Sequence, residues 1–245
     1  MMNKGLIFTC LVGLLSGCIS IEGTEEAKLT KPMIEEPVLP VEEKQVLFET
    51  LSLLGKQLVQ PALDNRTFKK RHNEMLESQA QYLARPDSLE LIIRYGKRLA
   101  FLYRYKESIE VYSNGVKKFP ESFSLYRHRG HRLLTLRKFD QAIQDLEKAV
   151  FYSRKLELTQ PLEENSSLYY NIWYHLGLAY YLKHDYEKAY DAYLKCRASG
   201  KLPDNIVSST HWLYMIQRRL GNSELASEML EPISSEMDVI ENQSY

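Results

Sequence analysis

The sequence predicts an all-α solenoid, a short superhelix of helix pairs stacked side by side. Three observations predict it. Landmark residues recur at a fixed interval: Pro86 and Pro120 are 34 residues apart, and so are Gly96 and Gly130. Gly130 to Gly177 and Ala142 to Ala189 are both 47, one interval plus an insertion of 13, and Ala189 to Ala226 is 37. A period of this length marks stacked units, each burying its apolar face only against its neighbours. Composition agrees, with 11 glycines in 245 residues, 44% hydrophobic and 26% charged residues. A chain poor in glycine and rich in Leu, Lys, Glu and Ala favours helices. The charges balance, 32 basic against 32 acidic, so no general attraction to nucleic acid arises. Zinc-finger spacings and nucleic-acid-binding motifs are missing from the sequence.

The chain begins with an address. MMNKGLIFTCLVGLLSGCIS carries Lys4, an apolar run from Leu6 to Leu15, then small residues. The run falls short of the ~20 residues that span a bilayer, and its layout is that of an export signal. Leu15-Ser16-Gly17-Cys18 resembles the lipobox of bacterial lipoproteins. That resemblance implies removal of residues 1–17 as a signal peptide and acylation of Cys18 on its sulfur and its new amino group. Two or three acyl chains hold a protein firmly at a membrane. Ile19 rather than Asp follows the cysteine, which by the same resemblance implies the outer membrane. Cys10 leaves with the signal, so Cys196 is the one free thiol and no intramolecular disulfide is possible. Residues 18–43 form the lipidated cysteine and an acidic tether, with too little apolar surface to fold.

Residues 44–85 are expected to form capping helices. Leu47, Phe48, Leu51, Leu54 and Leu58 share one helical face over Gln45–Gln60, and Pro61 ends it. Asp64 or Asn65 then caps a second helix over Arg66–Ala84. Residues 86–234 hold four helix pairs, about 89–122, 123–156, 170–203 and 207–235. The third carries the clearest pattern: Trp173-x2-Leu176-Gly177-x2-Tyr180, then Ala189-x3-Tyr193. This resembles the tetratricopeptide repeat, a helix–turn–helix unit of 34 residues. Gly177 and Ala189 lack bulk, so the two helices approach closely. Ser108 stands where the first repeat would have Ala, and Tyr214 replaces a small residue in the fourth. An insertion, Glu157–Tyr169, either folds over an edge or extends the flanking helices. The polar residues 236–245 are expected to be a flexible tail.

The tetratricopeptide resemblance implies a right-handed superhelix with its first helices on the concave face. It places partner contacts at Arg94 and Lys97 in the first repeat, and at Arg127, His128 and His131 in the second. The third supplies Asn171, Tyr174, His175 and Tyr181, and the fourth His211, Trp212 and Arg218. First helices are strongly basic and second helices net acidic. A basic, aromatic groove would suit a protein or extended peptide bearing acids or a free C-terminal carboxylate. The other reading pairs these arginines with acids of neighbouring helices. The leading expectation is thus a membrane-anchored adaptor. The alternative is a small-ligand or metal-binding sensor built on the His/Tyr/Trp groove, although no carboxylate accompanies the histidines. No cofactor is expected. Catalysis is not expected either: Cys196 occupies a buried packing position, and no nucleophile elbow or phosphate loop occurs. Replacing Cys18 by Ala should release the protein from membranes on fractionation, and full retention would refute the acyl anchor.

Overall fold

The computed structural model describes residues 48–157 and 166–242. The signal peptide, the acylated cysteine and the tether lie outside the described residues, as does most of the insertion. The described chain begins with a two-stranded antiparallel hairpin, β1 (Phe48–Leu51) and β2 (Gln57–Val59). Nine helices follow among the described residues. A single helix, α1 (Asn65–Ala84), precedes four pairs: α2 (Leu89–Phe101) with α3 (Tyr105–Lys118), α4 (Phe123–Thr135) with α5 (Phe139–Glu157), α6 (Ser166–Leu182) with α7 (Tyr186–Ser199), and α8 (Pro203–Arg219) with α9 (Ser223–Met229). None is long and apolar enough to cross a membrane.

Helix starts follow local chemistry. Asp64 Oδ1 accepts from the Thr67 amide at 2.9 Å and opens α1. Ser88 and Ser122, one repeat apart, cap α2 and α4 through the amides of Leu91 and Leu125. The ends are less legible. The turn inside each of the first three pairs places a non-glycine residue in the left-handed region: Tyr103 at φ 61°, Arg137 at 63° and His184 at 64°. The fourth turn uses Gly221 at 83°. In each, the next amide reaches back to the helix, Arg104 to Leu99 O, Lys138 to Leu133 O, Asp185 to Tyr180 O and Asn222 to Gln217 O, at 2.9–3.0 Å. That closure satisfies carbonyls which the helix end leaves open. It offsets a left-handed backbone that costs roughly 1–2 kcal/mol in a residue with a Cβ.

Packing within a pair rests on missing side chains. A Cβ on Gly96 would stand 2.4 Å from the Tyr112 ring, and one on Gly177 would stand 2.7 Å from Tyr193. Gly130 faces Leu146 in the same way. Tyr112, Tyr193, Leu146, Ala142 and Ala189 are essentially fully buried. Ser108 is small enough for its site and its hydroxyl donates to Gly96 O at 2.8 Å. Cys196 is fully buried against Tyr170 O at 3.6 Å, and burial pushes its thiol far up. It is a packing residue without nucleophilic character.

Two expectations fail. The helix expected over 45–60 does not form among the described residues: 48–59 are the hairpin. Ser52 and Gly55, at φ 76°, make a turn that no helix accommodates. The hairpin also does work a helix could not. Thr50 Oγ1 donates to Leu136 O at 3.0 Å, and Gln60 Nε2 to Tyr103 O at 3.2 Å. It thereby serves carbonyls at the turns of the first two pairs. The tail is not free at 240–242 either. The amides of Ile240, Glu241 and Asn242 all donate to the Asp204 carboxylate, at 3.2, 2.7 and 2.8 Å, in the first turn of α8. Around the insertion, the helices α5 and α6 extend to Glu157 and from Ser166.

Substituting Gly96 by Ala should test the close approach. The substitution gains helix propensity of about 1 kcal/mol but forces the buried Tyr112 ring aside, at about 1–3 kcal/mol. We expect a lower melting temperature, by roughly 2–4 °C per net kcal/mol. An unchanged or higher value would show that the ring yields freely.

Candidate functional site

First helices touch one another in succession, α2 to α4 to α6 to α8, while second helices pack on the first helices that flank them. The first helices therefore form the inner face of the stack. Most of the residues expected to meet a partner converge there in a row with two parts.

The first part is a cationic cluster on α4, bordered by α2 and α6. Arg127 Nη1 donates to His128 Nδ1 at 2.9 Å, and Arg132 Nη2 to His131 Nδ1 at 2.6 Å. A guanidinium only donates, so each imidazole accepts at Nδ1 and keeps its proton on Nε2. The His131 and His175 rings lie 3.9 Å apart. His175 Nδ1 donates to Asn171 O at 2.5 Å, so that ring has the opposite tautomer. The floor comes from α3: Tyr112 stacks on His128 at 5.7 Å, and Arg132 sits 5.5 Å over the Tyr105 ring.

All three imidazoles are neutral near pH 7. Burial and the charges of Arg127 and Lys97 push His128 down to about 2. Burial, His175 and Arg132 depress His131. Burial and Arg127 bring His175 down to about 3. Burial, with Arg132 beside it, lowers Arg127 to about 10, which leaves it charged. Burial also lowers Arg132. Neither arginine has a carboxylate partner among the described residues, and Arg127 Nε is buried without any hydrogen-bond partner.

The second part is aromatic. Trp212 Nε1 donates to the Tyr174 hydroxyl at 3.1 Å. Tyr181 meets the Trp212 ring edge-on at 5.1 Å, and Tyr193 stacks on its face at 5.7 Å. His211 lies edge-on to Trp212, and Tyr174 edge-on to His175, which joins the two parts. Arg94 and Lys97 stand beyond the cluster on α2, in a cleft of about 290 Å3 shared with Glu90, Ile93, Arg98 and Phe101. Arg94 there donates to Gln81 Oε1 at 2.9 Å. Arg218 is exposed near the end of α8 and joins neither part.

Some basic residues pair with acids of neighbouring helices and others do not. Arg129 pairs with the buried Asp145 through two bonds of 2.6 and 2.8 Å, Arg98 with Glu74 and Lys183 with Asp140. Arg127 and Arg132 are not neutralised in this way. No group of three or more His, Cys, Asp or Glu among the described residues is placed to hold a metal ion. Contact between His131 and His175, rather than between the equivalent His128 and His175, and the role of Arg132 were not legible in the repeat register. Also unforeseen is an outer hollow of about 330 Å3 between α5, α6 and α7, where Lys195 Nζ lies 4.6 Å over the Trp173 ring.

The fold is a tetratricopeptide-type α-solenoid. Solved structures of MamA share it. One aligns over 70% of this chain and 93% of its own, at 19% identity and a TM-score of 0.55. Another, residues 41 to the end of MamA from Desulfovibrio magneticus RS-1, aligns over 68% and 86%, at 21% identity and 0.54. At these identities the likeness is one of fold. No protein-family model matches the sequence, and no curated protein matches it.

The depressed histidines make stability depend on pH. Unfolded imidazoles take a proton near 6.5, whereas folded His128 and His175 do so only near 2 and 3. The unfolded chain thus binds more protons below pH 6.5. Stability is full above that pH and falls as pH drops, by up to about 1.4 kcal/mol per unit for each ring. The urea midpoint should decline between pH 7.5 and 5, and His175→Gln should flatten the decline. A midpoint with no pH dependence would contradict the neutral cluster.

Proposed function

We propose that the protein is a membrane-tethered adaptor that binds a protein or peptide through the row on its inner face. The tether is the acylated Cys18, with Ile19 directing it to the outer membrane of a bacterium. The binding reading rests on one observation above the others. Arg127 is a largely buried cation with no carboxylate partner among the described residues and one donor, Nε, with no acceptor. Burying an unpaired charge is costly, and a partner carboxylate would remove that cost. Arg132 and the Nε2 protons of His128 and His131 add donors at the cluster, and Lys97 stands beyond it on α2, in the cleft that also holds Glu90. A carboxylate held at the cluster leaves the adjoining chain free to run along Tyr174, Tyr181 and Trp212. A side-chain acid and a C-terminal carboxylate satisfy this geometry equally.

Arg127→Met separates binding from structure. It keeps the aliphatic volume and removes the uncompensated charge. In a protein beginning at Val41 we expect thermal stability to be unchanged or raised. Recovery of crosslinked partners should fall by about tenfold or more, the scale of one lost charge-assisted bond. A variant that melts lower and still captures its partners would make Arg127 a structural residue and remove the adaptor site from this face.

A further inference from the structure

The β1–β2 hairpin breaks a local rule at its tip. Ser52 O accepts from the Gly55 amide at 3.0 Å, and the Ser52 amide donates to Lys56 O at 2.7 Å. Leu53 and Leu54 therefore occupy the two central positions of a tight turn. Those positions ordinarily hold Gly, Pro, Asn, Asp or Ser. Instead two leucines stand in solvent, 72% and 96% exposed. Leu51 and Val59, about half exposed, continue the apolar surface along both strands. Among the described residues nothing covers Leu53 or Leu54. The hairpin is nevertheless held firmly, by Thr50 on Leu136 O, by Gln60 on Tyr103 O and by the Lys56 amide on Ser52 Oγ at 3.0 Å. A fastened ribbon that presents two leucines outward has the form of a wedge.

We propose that this tip inserts into the lipid interface, with Leu53 and Leu54 entering the bilayer surface at which the chain is anchored. The proposal rests on the acylation of Cys18 put forward above. Only 29 residues, 19–47, separate that cysteine from β1. Twenty-nine residues span at most about 100 Å however they fold, and the four residues of β1 add roughly 13 Å to the tip. The bilayer is thus always within range, at a high effective concentration. The sole charge at the turn, Lys56, suits an anionic bacterial surface. A second copy paired strand to strand is disfavoured by the edges, which are only three and four residues long. Docked in this way, the solenoid takes a fixed orientation on the membrane instead of turning freely on its tether.

Flotation tests this with vesicles of phosphatidylethanolamine and phosphatidylglycerol and the chain carrying Cys18→Ala, so that no acyl group contributes. That chain, released from membranes on fractionation for want of its acyl group, should still float with excess vesicles as a minor, reversible fraction. Leu53→Asp with Leu54→Asn should cut the bound fraction about tenfold or more, given the apolar area removed, with no loss of melting temperature because both residues suit a turn. Equal flotation of the variant, or none by the parent, overturns the wedge. So does a leucine-dependent dimer in sedimentation. The anchor is read separately, by partition of the natural chain into a detergent phase. A chain that enters detergent but whose Cys18→Ala form ignores vesicles keeps its anchor and loses the wedge. A natural chain that stays in the aqueous phase loses the anchor itself.

Discussion

The closeness of the two helices within a repeat sets everything else. Gly96, Gly130 and Gly177 lie against Tyr112, Leu146 and Tyr193, with no room for another carbon. Each contact fixes the height and rotation of one helix on the other, because a large buried ring or branched side chain fits in a single arrangement. Once a pair is fixed, its outer surfaces are fixed too, and stacking follows from matching them. The left-handed residues at Tyr103, Arg137 and His184 are a consequence. The helices must reverse within a few residues to remain so close, and the backbone there adopts a conformation its side chains do not favour. Tertiary packing outweighs that local strain.

Stacking also accounts for the electrostatics of the inner face. Residues two apart on a helix are rotated by about 200°, so neighbours in sequence meet opposite surroundings. Arg129 points to α5 and finds Asp145, while Arg127 turns inward with His128. One is a satisfied ion pair and the other an unsatisfied cation, although their sequence context is nearly the same. Bringing α2, α4 and α6 together buries three histidines beside Lys97, Arg127 and Arg132, and that burial, with the field of the cations added, keeps them neutral. The residues proposed to bind a partner are thus also destabilising ones, as is common where a site is held ready for its ligand.

The repeats were legible in the sequence because their signals are local and recur. Pro86 and Pro120, Ser88 and Ser122, and the Trp173 to Tyr193 pattern each report on one helix or one contact. The hairpin was not legible, because the leucine spacing over 47–58 satisfies a helix as well. Carbonyls of Tyr103 and Leu136, distant in sequence, helped decide between them. The site was legible as a list but not as an arrangement. Register alone pairs His128 with His175, whereas the stacked helices are offset so that His131 meets His175. Arg132 lies outside the contact register, yet its long side chain brings the guanidinium to His131. Which basic residues lack an acid depends on rotamers and neighbours that no single-chain pattern encodes.

The carboxylate of Asp204 has a consequence for how such an array can change over time. By gathering three amides from 240–242 it turns the chain back across the start of α8. An α-solenoid grows in evolution by duplicating a unit, and that requires the chain leaving the last helix to continue outward. Here it is folded inward after α9, which is only seven residues long. An extra unit appended at this end would first have to displace the returning segment. A single acidic side chain therefore helps to close this end of the described stack against a further unit.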